Sequence, residues 1–223
     1  MLNYALIVAG GTGRRMNAGS PKQFLNIHGR PVLFYSLEVF FAFDPDINIL
    51  LVLPENRIEQ WESLCNLHRF DLQHTIVTGG KSRMNSVMNG LDHLSGNGYV
   101  AIHDGVRPCL TQSLINRCFV SARNYGSGVP CIPVYDTIRK KDNEVSITIR
   151  RDELLSVQTP QVFDLALIKE AYDHVDKSLA LTDDANVAES FGHEIQIVEG
   201  EKRNIKITTP DDLLIAQTFL SDK

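Results

Sequence analysis

The sequence predicts an α/β protein built on a doubly wound, mainly parallel sheet with a projecting β-hairpin arm, and three observations lead to that class. Short apolar runs rich in β-branched residues recur at Ala5 to Ala9, Ile47 to Leu53, Tyr99 to His103 and Gly128 to Val134. Longer stretches of helical period separate most of them, and strands that alternate with helices pair in parallel, with helices on both faces of the sheet. One segment, between Val134 and Phe163, breaks the pattern. With 223 residues the chain fits one domain, spanning 1–223, with the arm at about 135–160 as its excursion.

The elements follow in order. Pro31 opens a helix at a position where its missing N–H costs little, and Leu33, Phe34, Leu37, Phe40 and Phe41 form its core face. Met84, Val87, Met88 and Leu91 read as a second core stripe. The arm consists of two alternating runs around Asp142-Asn143, too charged to support a core of their own. Such an arm needs a surface to lie on, and a second copy of the chain is the simplest supply. Helical segments at Leu165 to His174 and Asp183 to Phe191 come next, then strands at Glu194 to Val198 and Ile205 to Thr208. A last helix begins at Pro210-Asp211-Asp212, its acids suited to the N-terminal end of the helix dipole.

Composition narrows the function classes. Apolar and charged contents of 43% and 22% are those of a soluble globular protein, and a formal charge of −5 argues against nonspecific nucleic-acid binding. No apolar run approaches the roughly 18 residues that cross a bilayer, so no membrane association is expected. Met1 leads into the first strand without the layout of a signal peptide, which places the protein in the cytoplasm. Cys65, Cys109, Cys118 and Cys131 lack the CxxC spacing of a zinc or redox site and read as buried thiols.

The chemistry concentrates where the first strand ends, in Gly10-Gly11-Thr12-Gly13-Arg14-Arg15. A dinucleotide fingerprint fails because Met16 stands where its third glycine belongs, and a P-loop fails for want of a terminal GK[ST]. What remains is glycine backbone that an anion can approach closely, followed by guanidiniums that suit phosphate oxygens. A polyphosphate ligand fits; a tight strand-to-helix turn with solvated arginines is the alternative. Lys22, seven residues past Arg15, is close enough to fold back onto the same anion. Asp104 follows a core strand, at the edge where parallel sheets place ligands, and suits Mg²⁺ at a nucleotide. Lys206 lies opposite Ile205 and Ile207 in an alternating run; alone it reads as a surface lysine.

The motifs AGGTGRRM, PKQFL, HDGVRP, Asp136-Thr137, QTPQVF, TDDA and NIKIT, in this order over nearly the whole chain, resemble the 2-C-methyl-D-erythritol 4-phosphate cytidylyltransferase family. The resemblance implies a Rossmann-like nucleotidyltransferase that moves CMP from CTP to a polyol phosphate with Mg²⁺, as a homodimer through an exchanged arm. It assigns Arg15, Lys22 and Lys206 to catalysis and Asp104 to the metal. Gly10, Gly11, Gly80, Arg83 and Ser86 would line the CTP site. Arg107, Thr137 and Thr159 would meet the acceptor, with Arg151 coming from the partner's arm. A ribitol 5-phosphate cytidylyltransferase would share these motifs and differ in the polyol pocket. Because the attacking phosphate needs no general base, His103 is expected to be structural. HDGVRP also departs from the family's commonest form, with Gly105-Val106 where many members carry two alanines.

Overall fold

Strand β1 (Leu2–Val8) is apolar on both faces, and such a strand is stable only between two others and beneath two layers. In the computed structural model, which describes residues 1–10, 21–176 and 181–221, β1 pairs in parallel with β4 (Asn48–Leu53) and with β6 (Gly98–Asp104). Its alternate residues separate the two halves of the core, as the twofold period of a strand requires. Leu6 and Val8 pack with Val87 and Leu91 of α3 (Arg83–Asp92) and with Ile168 of α5 (Leu165–His174). Ala5 and Ile7 face Leu33, Phe34 and Leu37 of α1 (Val32–Phe43), Trp61 of α2 (Ile58–His68) and Phe119 of α4 (Gln112–Tyr125). Each fully buried Leu, Ile or Phe contributes about 1.5–3 kcal/mol relative to exposure.

Beyond β4 the sheet continues in parallel to β5 (Thr75–Thr78). On the other side of β6 the direction changes. Strand β11 (Gln161–Asp164) runs antiparallel between β6 and β7 (Ser127–Pro133), and β10 (Leu155–Val157) runs antiparallel on β7. Strand β12 (Ile197–Glu199) then adds to β7 in parallel. The doubly wound parallel expectation therefore describes β1, β4, β5 and β6. The chain that returns from the arm enters the sheet the opposite way.

The arm is a hairpin of β8 (Ile138–Asp142) and β9 (Val145–Ile149), with Asn143 in the left-handed region at φ 52° in its turn. Among the described residues these strands pair only with each other. Val145 and Ile147 are 67% and 57% exposed, which leaves apolar side chains on the hairpin uncovered.

Four expectations change. Ile205 to Thr208 is not a strand: a single backbone–backbone bond, from Ile207 N–H to the Val106 carbonyl at 2.9 Å, ties it to the body among the described residues. The alternation was real, since Ile207 is buried on one side and Lys206 emerges on the other, but no ladder accompanies it. The strand foreseen at Glu194 to Val198 is short and shifted, as β12. Phe41 turns outward from α1 while Leu33, Phe34, Leu37 and Phe40 are buried. Cys65 is half-buried; Cys109, Cys118 and Cys131 are buried thiols as read. Among the described residues no helix is long and apolar enough to cross a membrane. The last helix, α7 (Pro210–Ser221), uses Asp212 Oδ2 to accept from the N–H groups of Thr208 and Thr209, at 2.8 and 2.7 Å.

A buried aromatic cluster under α2 carries a pH dependence. Trp61 Nε1–H donates to His74 Nε2 at 2.9 Å, and because an indole N–H can only donate, the His74 proton lies on Nδ1, bonded to the Leu72 carbonyl at 2.7 Å. Burial pushes the His74 imidazole below its ordinary value, the Leu72 bond opposing. A histidine lowered in the folded state contributes stability that is full above its unfolded pKa of about 6.5 and is lost as pH falls below it. The unfolding free energy from urea titration should therefore fall from pH 7 to pH 5 by up to about 1.4 kcal/mol per pH unit for this proton, and His74→Gln should flatten that slope; an equal slope in the variant refutes the assignment.

Candidate active site

The carboxyl ends of β1 and β6 and the N-terminus of α3 converge on a cleft of about 300 Å³. Gly10, Lys22, Gly80, Arg83, Ser86, Asp104 and Lys206 all line it. Parallel pairing of β1 with β6, which sets Val8 opposite Asp104, brings these distant segments together. Lys22 begins a short 3₁₀ turn, Lys22–Phe24, that Gln23 fastens to the end of β1 by donating Nε2–H to the Ala9 carbonyl at 2.7 Å. The Lys22 ammonium donates to the Ile207 carbonyl at 3.0 Å, which sets it beside the segment that carries Lys206.

The opposite wall is the start of α3. Ser82 caps the helix by accepting from Asn85 N–H at 3.1 Å, and Gly80 N–H donates to Ser86 Oγ at 3.1 Å. A Cβ at Gly80 would stand 2.3 Å from Asn85 Cβ, so only glycine lets the backbone lie this close to the helix. Ser86 Oγ–H is itself donated to the Ser82 carbonyl at 2.9 Å. Ser86, expected to line the CTP site, does line the cleft, and its hydroxyl also holds the Gly80 loop. Free N–H groups and the positive end of the helix dipole favour an anion or a polar acceptor at this wall. Lys81 also lines the cleft and was missed; its signal was the Gly79-Gly80-Lys81-Ser82 run before a helix cap.

Asp104 lies at the centre. Lys206 Nζ approaches its Oδ2 at 2.7 Å, Arg107 Nε lies 3.7 Å from the same oxygen, and Arg83 Nε is 3.4 Å from Oδ1. Burial disfavours its charged form, but Arg83, Lys206 and Arg107 outweigh burial and hold the carboxyl well below the ordinary carboxylate range. Arg83 is in turn clamped by Asp184, which accepts from Nη1 and Nη2 at 2.9 and 2.7 Å. Tyr172 O–H donates to Asp184 Oδ1 at 2.6 Å. The guanidinium assigned to the nucleotide is therefore largely engaged by protein carboxylates.

Two residues expected at the acceptor stand behind Asp104 instead. Arg107 is buried and donates Nη1–H to the Asn204 carbonyl at 2.8 Å. Thr159 is buried, and its hydroxyl oxygen accepts Asp104 N–H at 3.1 Å while meeting His103 Nδ1 at 3.1 Å. Burial pushes the His103 imidazole down to about 3, with Asp104 opposing, so it is neutral and structural as expected. A Cβ at Gly105 would stand 2.7 Å from Leu33 Cδ1, the end of a flexible side chain, so alanine there would ask Leu33 to shift and leaves the backbone of α1 in place.

Thr137 and Arg151 lie exposed at the root of the arm and are not part of this cleft wall. Arg151 donates Nη1–H to the Tyr135 carbonyl, and its neighbour Arg150 pairs with Glu153 at 3.4 Å. Gly11 and Arg15 lie outside the described residues.

Asp104 is the carboxylate of the cleft among the described residues, which hold no group of three or more His, Cys, Asp or Glu able to bind a metal. A single carboxylate fits Mg²⁺ that keeps phosphate and water oxygens for its other ligands, and does not fit a metal held by protein alone.

Comparison with known proteins agrees with this geometry. The family model for 2-C-methyl-D-erythritol 4-phosphate cytidylyltransferase matches residues 3–222. Proteins of that name from Bacteroides fragilis and Phocaeicola vulgatus are 47% and 44% identical over 220 residues, covering 99% of this chain and 100% of each relative. The crystal structure of the Thermus thermophilus protein of that name superposes with a TM-score of 0.83 at 31% identity, covering 99% of this chain and 100% of that one. The crystal structure of 4-diphosphocytidyl-2C-methyl-D-erythritol synthase from Anaerococcus prevotii gives a TM-score of 0.84 at 28% identity, covering 99% and 96%. Matched by the family model over residues 3–222 and by full-length relatives at 47% and 44% identity, this chain belongs to the 2-C-methyl-D-erythritol 4-phosphate cytidylyltransferase family.

Proposed function

We propose that the protein transfers CMP from CTP to 2-C-methyl-D-erythritol 4-phosphate, releasing pyrophosphate and forming the CDP-polyol of non-mevalonate isoprenoid synthesis. The observation that carries the reading is the convergence of Lys22, Lys206, Asp104 and the α3 N-terminus on one cleft. The acceptor phosphate is already anionic near neutral pH, so the reaction needs no base. It needs charge that lets one phosphate approach another. Lys22 and Lys206 supply that charge on the triphosphate, together with Arg15, and their attraction strengthens as charge develops on the five-coordinate α-phosphorus. Gly10 and Gly80 give the nucleotide bare backbone, and Gly11 is the next residue in the sequence after Gly10. Asp104 would hold Mg²⁺ when it is bound, and the ion would neutralise phosphate oxygens there.

For the acceptor, Thr137 supplies an exposed polar group and Arg151 would come from the partner's arm, while Arg107 and Thr159 act through the wall they build behind Asp104. The homodimer rests on the exposed apolar side chains of the arm, which a second copy would cover. The absence of a membrane-spanning helix among the described residues fits work in the cytoplasm. Ribitol 5-phosphate is the acceptor to test against, since it asks for the same cations.

With CTP, Mg²⁺ and each acceptor assayed in parallel by pyrophosphate release, methylerythritol phosphate should turn over; turnover of ribitol 5-phosphate alone would overturn the reading. Lys22→Ala should lower kcat by roughly 10²-fold or more with a smaller change in KM for CTP, and an unchanged kcat removes Lys22 from the mechanism. Arg151→Ala should raise KM for the acceptor by about tenfold, the worth of one charge-assisted bond. If Arg151 works across the interface, mixing Arg151→Ala with Lys22→Ala subunits should restore activity in one site of each mixed dimer. No gain on mixing would place it in its own subunit's site.

A further inference from the structure

The segment that carries Lys206 is not a strand, and its backbone joins the body at Ile207, whose N–H donates to the Val106 carbonyl and whose carbonyl accepts from Lys22 Nζ, which leaves the run before Lys206 without a ladder. Something else must fix its course, and two buried neutral amides do so. Gln158 donates Nε2–H to the Glu201 carbonyl at 2.8 Å and accepts Glu201 N–H on Oε1 at 3.1 Å, so its side chain pairs with that segment as a strand residue's backbone would. Asn204, fully buried, donates Nδ2–H to the Thr159 carbonyl at 2.8 Å, and its own carbonyl receives Arg107 Nη1–H at 2.8 Å. Two residues on, Lys206 reaches Asp104 at 2.7 Å. Asp104 is itself held by Thr159 through its backbone N–H.

These bonds make a closed circuit. Asn204 ties the Lys206 segment to Thr159, Thr159 ties to Asp104, and Asp104 ties back to Lys206. Asn204 Oδ1 is buried with no hydrogen-bond partner among the described residues. An unmet acceptor lowers stability, so the amide's presence is explained by what its other atoms hold. We propose that Asn204 and Gln158 are positioning residues that clamp the Lys206 segment so that its ammonium docks on Asp104. The clamp stands on the geometry alone; its effect on turnover rests on the reading of Lys206 as a catalytic cation.

The test is Asn204→Asp, which keeps the shape and replaces the Nδ2 donor with an oxygen facing the Thr159 carbonyl. Acylation of Lys206 by acetic anhydride, followed by mass spectrometry against Lys140 on the exposed arm, reads whether its ammonium is docked. The clamp predicts severalfold faster labelling of Lys206 relative to Lys140 in the folded variant. It also predicts kcat lowered about tenfold or more, since displacement of a reacting group by an ångström is that costly, with KM for CTP little changed. Unchanged labelling at Lys206 overturns the proposal, and a lower urea midpoint with unchanged labelling means a structural role only. Faster labelling with unchanged kcat keeps the clamp and removes Lys206 from catalysis. If Asn204→Asp shows no cooperative urea transition, Gln158→Glu, which loses one donor and keeps the acceptor for Glu201 N–H, is read in the same assay: faster labelling of Lys206 supports the clamp and unchanged labelling overturns it.

Discussion

The carboxylate of Asp104 is the constraint around which the site is organised. It is buried, and a lone buried carboxylate would be forced toward its neutral form; here Lys206, Arg83 and Arg107 surround it and keep it ionised. The dependence also runs the other way, because the cations could not gather without it. Removing one member of such a buried set leaves its partners uncompensated, a loss of about 3–5 kcal/mol in comparable cases. Asp184 adds a second acid beneath Arg83, so two carboxylates face three cations, and Lys22 and Lys81 stand at the cleft in addition. The excess charge is built into the fold and directed at an open space. A polyanion that enters meets charge already oriented, with no reorganisation needed when the reaction occurs.

The topology explains how so many groups reach one carboxylate. Parallel pairing of β1 and β6 puts both of their carboxyl ends on the same edge, which delivers Gly10 and Asp104 together. The antiparallel strand β11 does something a parallel strand could not. Its first residue, Gln161, lies opposite Ile102 near the end of β6, so the residues just before it arrive at the same edge. Thr159 and Gln158 are those residues, and they meet Asp104 and the Lys206 segment there. The reversal of direction in the sheet is thus what lets the arm's exit form the back wall of the cleft.

The sheet strands read from sequence, β1, β4, β6 and β7, are those whose runs are apolar because both faces are covered, while β8 and β9 were read from alternation around a turn. β5 and β11 escaped because each has four residues, and Thr75, Thr78 and Gln161 interrupt any apolar signal. At Ile205 to Thr208 the alternation was correct and the element wrong, since burial on one side imposes a period of two even where no ladder forms. The site divides in the same way. Asp104 was legible as a carboxylate at the end of a core strand and Lys22 as a cation close behind the glycine turn, while Lys206 alone read as a surface lysine and was singled out only by the resemblance. For Ser86, Arg83, Arg107 and Thr159 the residue type was informative and the role was not, because a sequence does not show where a hydrogen bond is directed. Gln158 and Asn204 open the motifs QTPQVF and NIKIT, yet nothing in the sequence showed their role: a neutral amide carries no charge and no period, and its value lies in partners 43 to 46 residues away.

The arm and the cleft are one problem in the physics of this chain. An isolated two-stranded hairpin is marginal in water, and β8 and β9 leave Val145 and Ile147 exposed without support from the larger sheet. Yet the chain leaving that hairpin becomes β10, bonds to β7, and within two residues supplies the hydroxyl that receives Asp104 N–H. Whatever orders the arm therefore also limits the freedom of the back wall, through a short run of backbone with paired hydrogen bonds. In the proposed dimer the covering surface is another copy, so burial of arm side chains in one subunit and the placement of Asp104 share part of their free energy.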